Sequence, residues 1–246
     1  MTARSWKELS EEPATKWSVW KYHWLIHHQS IVALERAAAF ARGTLVDVGC
    51  GARPFAPQFA GRVERYIGSD LRSSEYLAGR APDVYARAEA LPFRDGSAGT
   101  VFGFSMMTYL PEPLLALREA RRVLEPGGHA ILEFTQMVPL HDEPHDYFRF
   151  TRSGASWLLE QAGLEPVELI PIGGLWTRVG LTMTGALNAI NRGPTRVLTE
   201  IPVRILYVVL QLGFLALDRL FFDPREVVAH LAIARKPTGP AHAPRA

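Results

Sequence analysis

Short apolar runs alternate with amphipathic stretches along most of this chain of 246 residues. In residues 113–124 the apolar side chains fall on one helical face, and Pro126-Gly127-Gly128 ends that helix and turns the chain into the next run. Such alternation indicates strands of a parallel sheet joined by helices. The pattern predicts an α/β fold with a doubly wound, mostly parallel seven-stranded sheet. Its strands are Thr44–Val48, Arg65–Gly68, Val84–Ala86, Thr100–Ser105, His129–Phe134, Pro166–Pro171 and Val227–Ala234.

A helical region, residues 1–42, precedes this core, which spans residues 43–174. Trp17, Trp20 and Trp24 recur at spacings of three and four and predict a helix from about Thr15 to Arg42. We interpret the tryptophan stripe as packing against the domain, with a lid over the cleft at the sheet edge as the alternative.

An apolar insertion, residues 175–225, separates the core from its final strand, residues 226–236, and from a tail, 237–246, predicted to be disordered. Within it Ile205–Leu217 carries no formal charge. That run is shorter than the ~20 residues of a membrane span, so no transmembrane helix is predicted. A buried helix or a cap over the acceptor is one reading. Because basic residues precede the run, an interfacial helix with peripheral membrane contact through residues 201–222 is the other.

Composition excludes several classes of protein. A net charge of +2 and the lack of a Lys/Arg-dense run predict no nucleic-acid partner. The one cysteine, Cys50, rules out an internal disulfide and fits a reducing cytoplasm, and the polar, acidic residues 1–15 are not a signal peptide. We expect a cytoplasmic protein, either free or peripheral to the inner face of the membrane.

The sequence Asp47-Val48-Gly49-Cys50-Gly51 follows the first predicted strand, and the second ends in Ser69-Asp70. Glycines one residue apart let a ligand lie against bare backbone, and the carboxylate of Asp70 can accept hydrogen bonds from a ribose diol. A dinucleotide site would add a third glycine to place pyrophosphate, but here Pro54 stands near that position and removes an N–H donor. The motif therefore favours S-adenosylmethionine (SAM), which has no phosphate.

In these motifs the chain resembles the class I SAM-dependent methyltransferases. Residues 88–97 are similar to the family's adenine loop, and residues 119–128 are similar to its junction between a helix and the fifth strand. The resemblance implies a Rossmann-like fold with SAM as cofactor. It implies cofactor-binding roles for Asp47, Gly49, Gly51, Asp70, Leu71, Ala88, Glu89, Phe104 and Ser105, the last two near the sulfonium.

Three residues depart from the family pattern. Arg87 stands where an aspartate is usual, Gly99 replaces a common acid, and Tyr109 occupies a place often held by histidine. Neutral drift at partly exposed positions is the simpler interpretation, and weakened cofactor affinity is the alternative.

The segment 141–151, His-Asp-Glu-Pro-His-Asp-Tyr-Phe-Arg-Phe-Thr, directly follows the fifth predicted strand, at the sheet edge that carries sites in open α/β folds. His141 is the first candidate for a general base and His145 the second, because imidazole titrates near neutrality. An internal pair of Asp146 with Arg149, followed by Thr151 or Ser153 capping a helix, is the structural alternative. His141, Asp142, Glu143, His145 and Asp146 could ligate a metal, but the irregular loop gives no regular geometry and no metal site is predicted.

The sequence thus predicts a SAM-dependent methyltransferase acting on a small acceptor, lipophilic or linked to a glycan or lipid, with O-methylation favoured. The alternative is a non-catalytic SAM- or nucleotide-binding scaffold of the same fold. An NAD-dependent oxidoreductase is disfavoured because no Tyr-x-x-x-Lys pair is present.

Overall fold

Seven strands form one sheet in the order β3-β2-β1-β4-β5-β7-β6 in the computed structural model, which describes residues 18–191 and 196–239. Residues 1–17 and 240–246, with most of the predicted tail, lie outside the described residues. The strands are β1 Thr44–Val48, β2 Arg65–Asp70, β3 Val84–Tyr85, β4 Ala98–Gly103, β5 Leu124–Thr135, β6 Glu165–Ile172 and β7 Ala229–Arg235. The helices are α1 Trp24–Ala37, α2 Ala56–Phe59, α3 Pro113–Val123, α4 Arg152–Gln161, α5 Leu175–Ile190 and α6 Arg196–Leu220.

The predicted α/β fold with seven strands is confirmed. Strands β1, β2, β3, β4 and β5 pair in parallel, and β7 runs antiparallel between β5 and β6. The carboxyl ends of β1, β2, β4 and β5 therefore meet at one edge of the sheet, and the loops that follow them form the site described below.

The start of β5 lies earlier in the chain than the sequence predicts. The backbone is already extended at Leu124, and Gly127 donates its N–H to the carbonyl of Lys236 at 2.8 Å. In return, Lys236 donates its N–H to the carbonyl of Gly128 at 2.9 Å. The Pro-Gly-Gly segment ends the helix as predicted, but pairing with the chain after β7 makes it part of the strand.

The two faces of the sheet carry separate apolar cores. Val46, Val48, Leu132 and Phe134 pack with α3 and α4 on one face. Leu45, Phe102, Ile131 and Ile233 pack with α1 and α5 on the other. This alternation along β1 and β5 decides which face each polar side chain of the site occupies.

Helix α1 buries a face that contains Leu25, Ile26 and Leu34 rather than the tryptophans. Trp20 is 48% exposed, and the ring of Trp24 stacks on His28 with centroids 4.9 Å apart. The predicted packing of the tryptophan stripe is therefore wrong for Trp20. Trp17 lies outside the described residues, and a lid formed by the N-terminal region stays a prediction.

The insertion forms two helices, α5 and α6, that pack against each other. Asp218 in α6 accepts hydrogen bonds from the backbone N–H groups of Gly174, Trp176 and Thr177 at 3.0, 2.9 and 2.9 Å. A carboxylate at the N-terminus of a helix satisfies otherwise unpaired donors and complements the helix dipole. This contact fixes the end of α6 at the sheet edge where β6 ends.

Helix α6 is longer than the charge-free run suggests, because the apolar pattern continues on both sides of it. The segment Thr199–Leu220 contains an 18-residue window with a mean hydropathy of 1.7, so it is long and apolar enough to cross a membrane by length and composition alone. Length and composition are weak grounds, since core helices of globular proteins pass the same test. Here a stripe of Tyr207, Gln211, Leu215 and Asp218 is buried against the protein.

Candidate functional site

The turn after β1 depends on its two glycines. Gly49 and Gly51 have φ values of +73° and +50°. A Cβ atom on Gly51 would lie 3.1 Å from the carbonyl oxygen of Tyr76, and one on Gly49 would lie 3.2 Å from Cβ of Met106. Both the backbone conformation and the close neighbours therefore require glycine.

Asp70 ends β2 with its carboxylate turned toward this turn. Its Oδ2 accepts the N–H of Gly51 at 2.7 Å, and its Oδ1 accepts the N–H of Leu71 at 2.7 Å. The residue is only 7% exposed. Each carboxylate oxygen can accept a further hydrogen bond. The predicted juxtaposition of the glycine turn and Asp70 is thus present.

Asp47 and Cys50 are both buried beside the turn. Asp47 accepts a hydrogen bond from the hydroxyl of Tyr66, and burial raises its pKa to about 7. Burial, followed by the charges of Asp47 and Asp70, raises the pKa of Cys50 to about 12. The thiol is therefore protonated near neutral pH, which fits a small packing residue better than a nucleophile.

The loop after β3 contains two predicted cofactor-binding residues, Ala88 and Glu89, and Arg87, which departs from the family pattern. Ala88 lines a small apolar cleft together with Val48 and Met106. Arg87 is exposed and donates to Oε1 of Glu89 at 3.4 Å. The unusual arginine therefore pairs with the glutamate for which the family resemblance implies a cofactor-binding role.

The end of β4 places Phe104 and Ser105 on the same sheet edge. The ring of Phe104 packs on Phe55, with centroids 4.5 Å apart. Ser105 has a φ of +53° and donates its N–H to Oε2 of Glu133 at 3.0 Å. Glu133, on β5, was not among the predicted site residues.

Three loops meet in a polar cluster above this edge. The hydroxyl of Tyr109, after β4, lies 2.7 Å from Nε2 of His141 and donates to Oδ2 of Asp142 at 3.1 Å, both after β5. Tyr76, from the loop after β2, donates its hydroxyl to the same oxygen of Asp142. Burial is the main cause that raises the pKa values of Tyr76 and Tyr109, so both phenols keep their protons.

The predicted pair of Asp146 and Arg149 is confirmed. Nη2 of Arg149 donates to Oδ2 of Asp146 at 2.7 Å, and this bonding lowers the pKa of the Asp146 carboxyl. The same Oδ2 accepts the backbone N–H of His141 at 3.0 Å. Thr151 caps α4 by accepting the N–H of Gly154 at 3.1 Å. The pair therefore holds the loop that carries His141.

The two candidate bases occupy different environments. The side chain of His141 is 14% exposed and lies within the polar cluster. His145 is exposed, and its Nδ1 lies 3.2 Å from the hydroxyl of Tyr147. His141 is thus the better positioned of the two. Within residues 18–191 and 196–239, no three His, Cys, Asp or Glu side chains are grouped as metal ligands.

Sequence reasoning missed part of this site. The sequence marks Tyr109 only as a departure from the family pattern and Asp142 only as a possible metal ligand, and it does not identify Glu133 or Tyr76 as site residues. A signal for Glu133 was present, because it is the only charged residue in the apolar stretch Ala130–Phe134. No comparable signal marks Tyr76.

Comparison with known proteins agrees with this geometry. A family described as a methyltransferase domain matches residues 46–132. An uncharacterized methyltransferase of Mycobacteroides abscessus is 30% identical over 183 residues, which cover 65% of this chain and 70% of that protein. The chain belongs to the class I SAM-dependent methyltransferases.

Other relatives match over shorter segments. An uncharacterized methyltransferase of Mycobacterium sp. strain KMS is 37% identical over 97 residues, which cover 37% of this chain and 38% of that protein. This chain thus spans less than half the length of such relatives.

Solved structures show the same fold at low identity. Phosphoethanolamine N-methyltransferase 2 of Haemonchus contortus, in complex with SAM, has a TM-score of 0.56 and 15% identity, over 96% of this chain and 60% of that one. The cyclase SpnF has a TM-score of 0.54 and 18% identity, over 87% of this chain and 81% of that one. Because a cyclase shares the fold, the fold alone does not determine which reaction the site catalyses.

Proposed function

We propose that this methyltransferase binds SAM and transfers its methyl group to a hydroxyl of a small acceptor. The observation that carries the proposal is the position of His141 and Tyr109 at the same sheet edge as Asp70 and the glycine turn. The turn contains Gly49 and Gly51, where a Cβ atom would lie too close to neighbouring atoms. The carboxylate of Asp70 beside it can accept further hydrogen bonds. These features fit a nucleoside with an uncharged ribose diol.

In this proposal the cofactor is held by the predicted residues in three groups. Gly49, Gly51 and Asp47 line its methionine and ribose portion, and Asp70 accepts the ribose hydroxyls. Leu71, Ala88 and Glu89 lie against the adenine, and Phe104 and Ser105 lie near the sulfur. SAM supplies an electrophilic methyl group, so the main task of the protein is to hold the acceptor oxygen in line with it.

His141 is the proposed general base, because O-methylation of a neutral hydroxyl releases a proton. Its imidazole is part of a network of hydrogen-bonding groups, including Tyr109, that can receive a hydroxyl. A positioned base contributes about 10²–10⁴ in rate. Asp146, whose Oδ2 lies 3.6 Å from Nδ1 of His141, would stabilise the protonated ring.

The test combines binding with turnover. Calorimetry with SAM and S-adenosylhomocysteine (SAH) measures cofactor binding, and transfer of labelled methyl to a panel of phenols, sugars and lipid-linked alcohols measures activity. We expect His141→Ala to lower turnover about 10²-fold or more while SAH affinity stays within twofold. His145→Ala is the matched control. Binding without transfer to any acceptor would instead favour the scaffold alternative.

We further propose that α6 contacts a membrane surface peripherally and that the acceptor is lipophilic. The face opposite its buried stripe exposes Ile201, Ile205, Val209, Leu212 and Leu220 at 72, 50, 61, 49 and 72%. Of the carboxylates of α6, Glu200 is paired with Arg204 and Asp218 is buried, so neither opposes an anionic surface. A cytoplasmic location belongs to the same proposal.

Sedimentation with phosphatidylglycerol–phosphatidylcholine vesicles tests this contact. The double variant Ile205→Glu, Val209→Glu should lose vesicle binding, whereas Leu115→Glu, on an exposed position of α3, should not. Equal sedimentation of all three proteins would contradict a role for α6.

A further inference from the structure

Glu133 is a buried carboxylate to which the proposed reaction assigns no task. It is 4% exposed and lies in β5 between Leu132 and Phe134, which are also buried. A carboxylate is rarely fully buried unless it is paired with a cation or a metal. The burial of Glu133 is therefore unusual for a carboxylate.

The sheet register places Glu133 beside the cofactor region. Gly103, the last residue of β4, pairs with Leu132, so Glu133 lies one residue closer to the carboxyl edge. Side chains alternate along a strand, so Glu133 shares the face of Ile131. Leu45 and Ile131 pack in the same apolar core, which puts Asp47 on that face as well. The two buried carboxylates thus share one face and one edge.

Neutral donors occupy both oxygens of Glu133. Oε2 accepts the N–H of Ser105 and Oε1 accepts the hydroxyl of Thr135, each at 3.0 Å. The charge of Arg149 reaches Glu133, but its guanidinium is engaged with Asp146 at 2.7 Å. No ion pair to Glu133 is present within the described ranges 18–191 and 196–239.

The absence of a paired cation has an energetic cost. Removing a carboxylate from water is expensive, and hydrogen bonds from neutral groups offset only part of that cost. Burial accordingly raises the pKa of Glu133 to about 7, against the opposing effect of Thr135 and Ser105. A positive charge brought next to this carboxyl would therefore ionise it and be bound by it.

We propose that Glu133 supplies the negative charge that recognises the positively charged sulfonium of SAM and thereby distinguishes SAM from SAH. This inference rests on the proposed function, because it requires the cofactor to lie at this edge. SAH carries a neutral thioether where SAM carries the sulfonium. Ser105, which the family resemblance places near that sulfur, is the residue whose N–H holds Oε2 of Glu133.

The proposal couples SAM binding to proton release. With the cation bound the Glu133 carboxyl is ionised, so SAM affinity rises as pH increases through the region near 7, whereas the effect is missing for SAH. Tyr109 and Arg149 also act on Glu133, but Tyr109 stays neutral and Arg149 stays charged in this range. Burial also raises the pKa of Asp47 to about 7, but in the proposed function Asp47 lines the methionine and ribose portion, which is common to both ligands.

Calorimetry of SAM and SAH binding at pH 6 and pH 8 tests the inference on the wild-type protein, Glu133→Gln and the exposed control Glu64→Gln. For the wild type and the control we expect the ratio of SAM affinity to SAH affinity to be about tenfold lower at pH 6 than at pH 8. Glu133→Gln should remove most of that difference. Any titration of the ligands themselves is the same for all three proteins.

The glutamine variant keeps the shape of the site, because its amide oxygen can accept from Ser105 and its amide nitrogen can donate to Thr135. Unchanged SAH affinity and thermal unfolding show that it is folded. If the variant and the wild type give the same SAM-to-SAH ratio at both pH values, the role of Glu133 is wrong and the proposed function stands. If neither ligand binds the wild-type protein, both proposals fail.

Discussion

The hydroxyl of Tyr109 and Nε2 of His141 are 2.7 Å apart, so the tyrosine contacts one of the two ring nitrogens. The other ring nitrogen, Nδ1, lies 3.0 Å from the carbonyl oxygen of Pro139, which can only accept. Nδ1 of the neutral ring therefore carries the hydrogen and Nε2 is the acceptor, and the single hydrogen of the Tyr109 hydroxyl is shared between Nε2 and Oδ2 of Asp142. The basic nitrogen of the proposed general base is thus covered by a tyrosine.

Replacing this tyrosine should slow the reaction without weakening cofactor binding. Tyr109→Phe removes the hydroxyl that contacts Nε2 of His141, the proposed general base. We therefore expect turnover to fall about tenfold to hundredfold. Initial rates of methyl transfer and SAH calorimetry measure the two effects. Tyr147→Phe, at an exposed ring in the same loop region, is the control. A larger loss of SAH affinity than of turnover would show that Tyr109 shapes the cofactor site instead.

Asp70 should be required for cofactor affinity. A hydrogen bond to a charged group contributes about 1.5–3 kcal/mol, so Asp70→Asn should weaken SAH binding about tenfold or more. The exchange also places an amide against two N–H donors, Gly51 and Leu71. Calorimetry measures the affinity, and Asp95→Asn, whose side chain is 80% exposed, should bind normally. Equal affinities of the two variants would remove Asp70 from the cofactor site.

Alanine substitutions at Gly51 and Gly61 distinguish the effect of backbone strain from the effect of crowding by neighbouring atoms. Both have positive φ values, +50° and +73°, but a Cβ atom on Gly61 meets nothing within 4 Å, whereas one on Gly51 meets Tyr76 at 3.1 Å. Gly61→Ala should cost about 1 kcal/mol of unfolding free energy, and Gly51→Ala should cost more. Denaturant unfolding gives the two values. SAH affinity should fall only for Gly51→Ala, and identical effects would show that the turn has room for a side chain.

His23 should make stability depend on pH. It is 5% exposed, both ring nitrogens lack a hydrogen-bond partner among the described residues, and burial lowers its pKa to about 3. A depressed histidine pKa means that the unfolded chain binds the proton first, from about pH 6.5 downward. The contribution of His23 to the free energy of unfolding is therefore fully present above pH 6.5 and is lost as the pH falls toward 3. The loss between pH 7 and pH 5 is about 2 kcal/mol.

The carboxyls of Asp47 and Glu133 act in the opposite direction. Their raised pKa values, each about 7, mean that the folded protein takes up protons first, so they add stability as the pH falls below 7. The contribution of His23 is therefore measured as the difference between the wild type and His23→Gln at pH 7 and pH 5. The wild type should lose about 2 kcal/mol relative to the variant over that interval. A constant difference would mean that His23 is protonated within the fold.

Local sequence was sufficient for the cofactor turn but not for the acceptor cluster. Gly49 and Gly51 are fixed by the backbone of one turn, and Asp70 follows from the length of one strand-helix-strand unit, so spacing alone predicts them. Tyr76 and Asp142 are 66 residues apart, and their contact depends on how two loops fold over the same sheet edge. Nothing in either loop's sequence specifies that contact.

The sequence by itself determined the order of strands and helices, the glycine turn with its carboxylate and the Asp146–Arg149 pair. These depend on periodicity and on contacts between residues close in the chain. Only the tertiary structure decided that Tyr76, Tyr109, His141 and Asp142 share one cluster and that Glu133 is buried with no paired cation among the residues that the structure describes. Strand pairing and the packing of both sheet faces bring distant residues together, and the resulting burial sets their charge states.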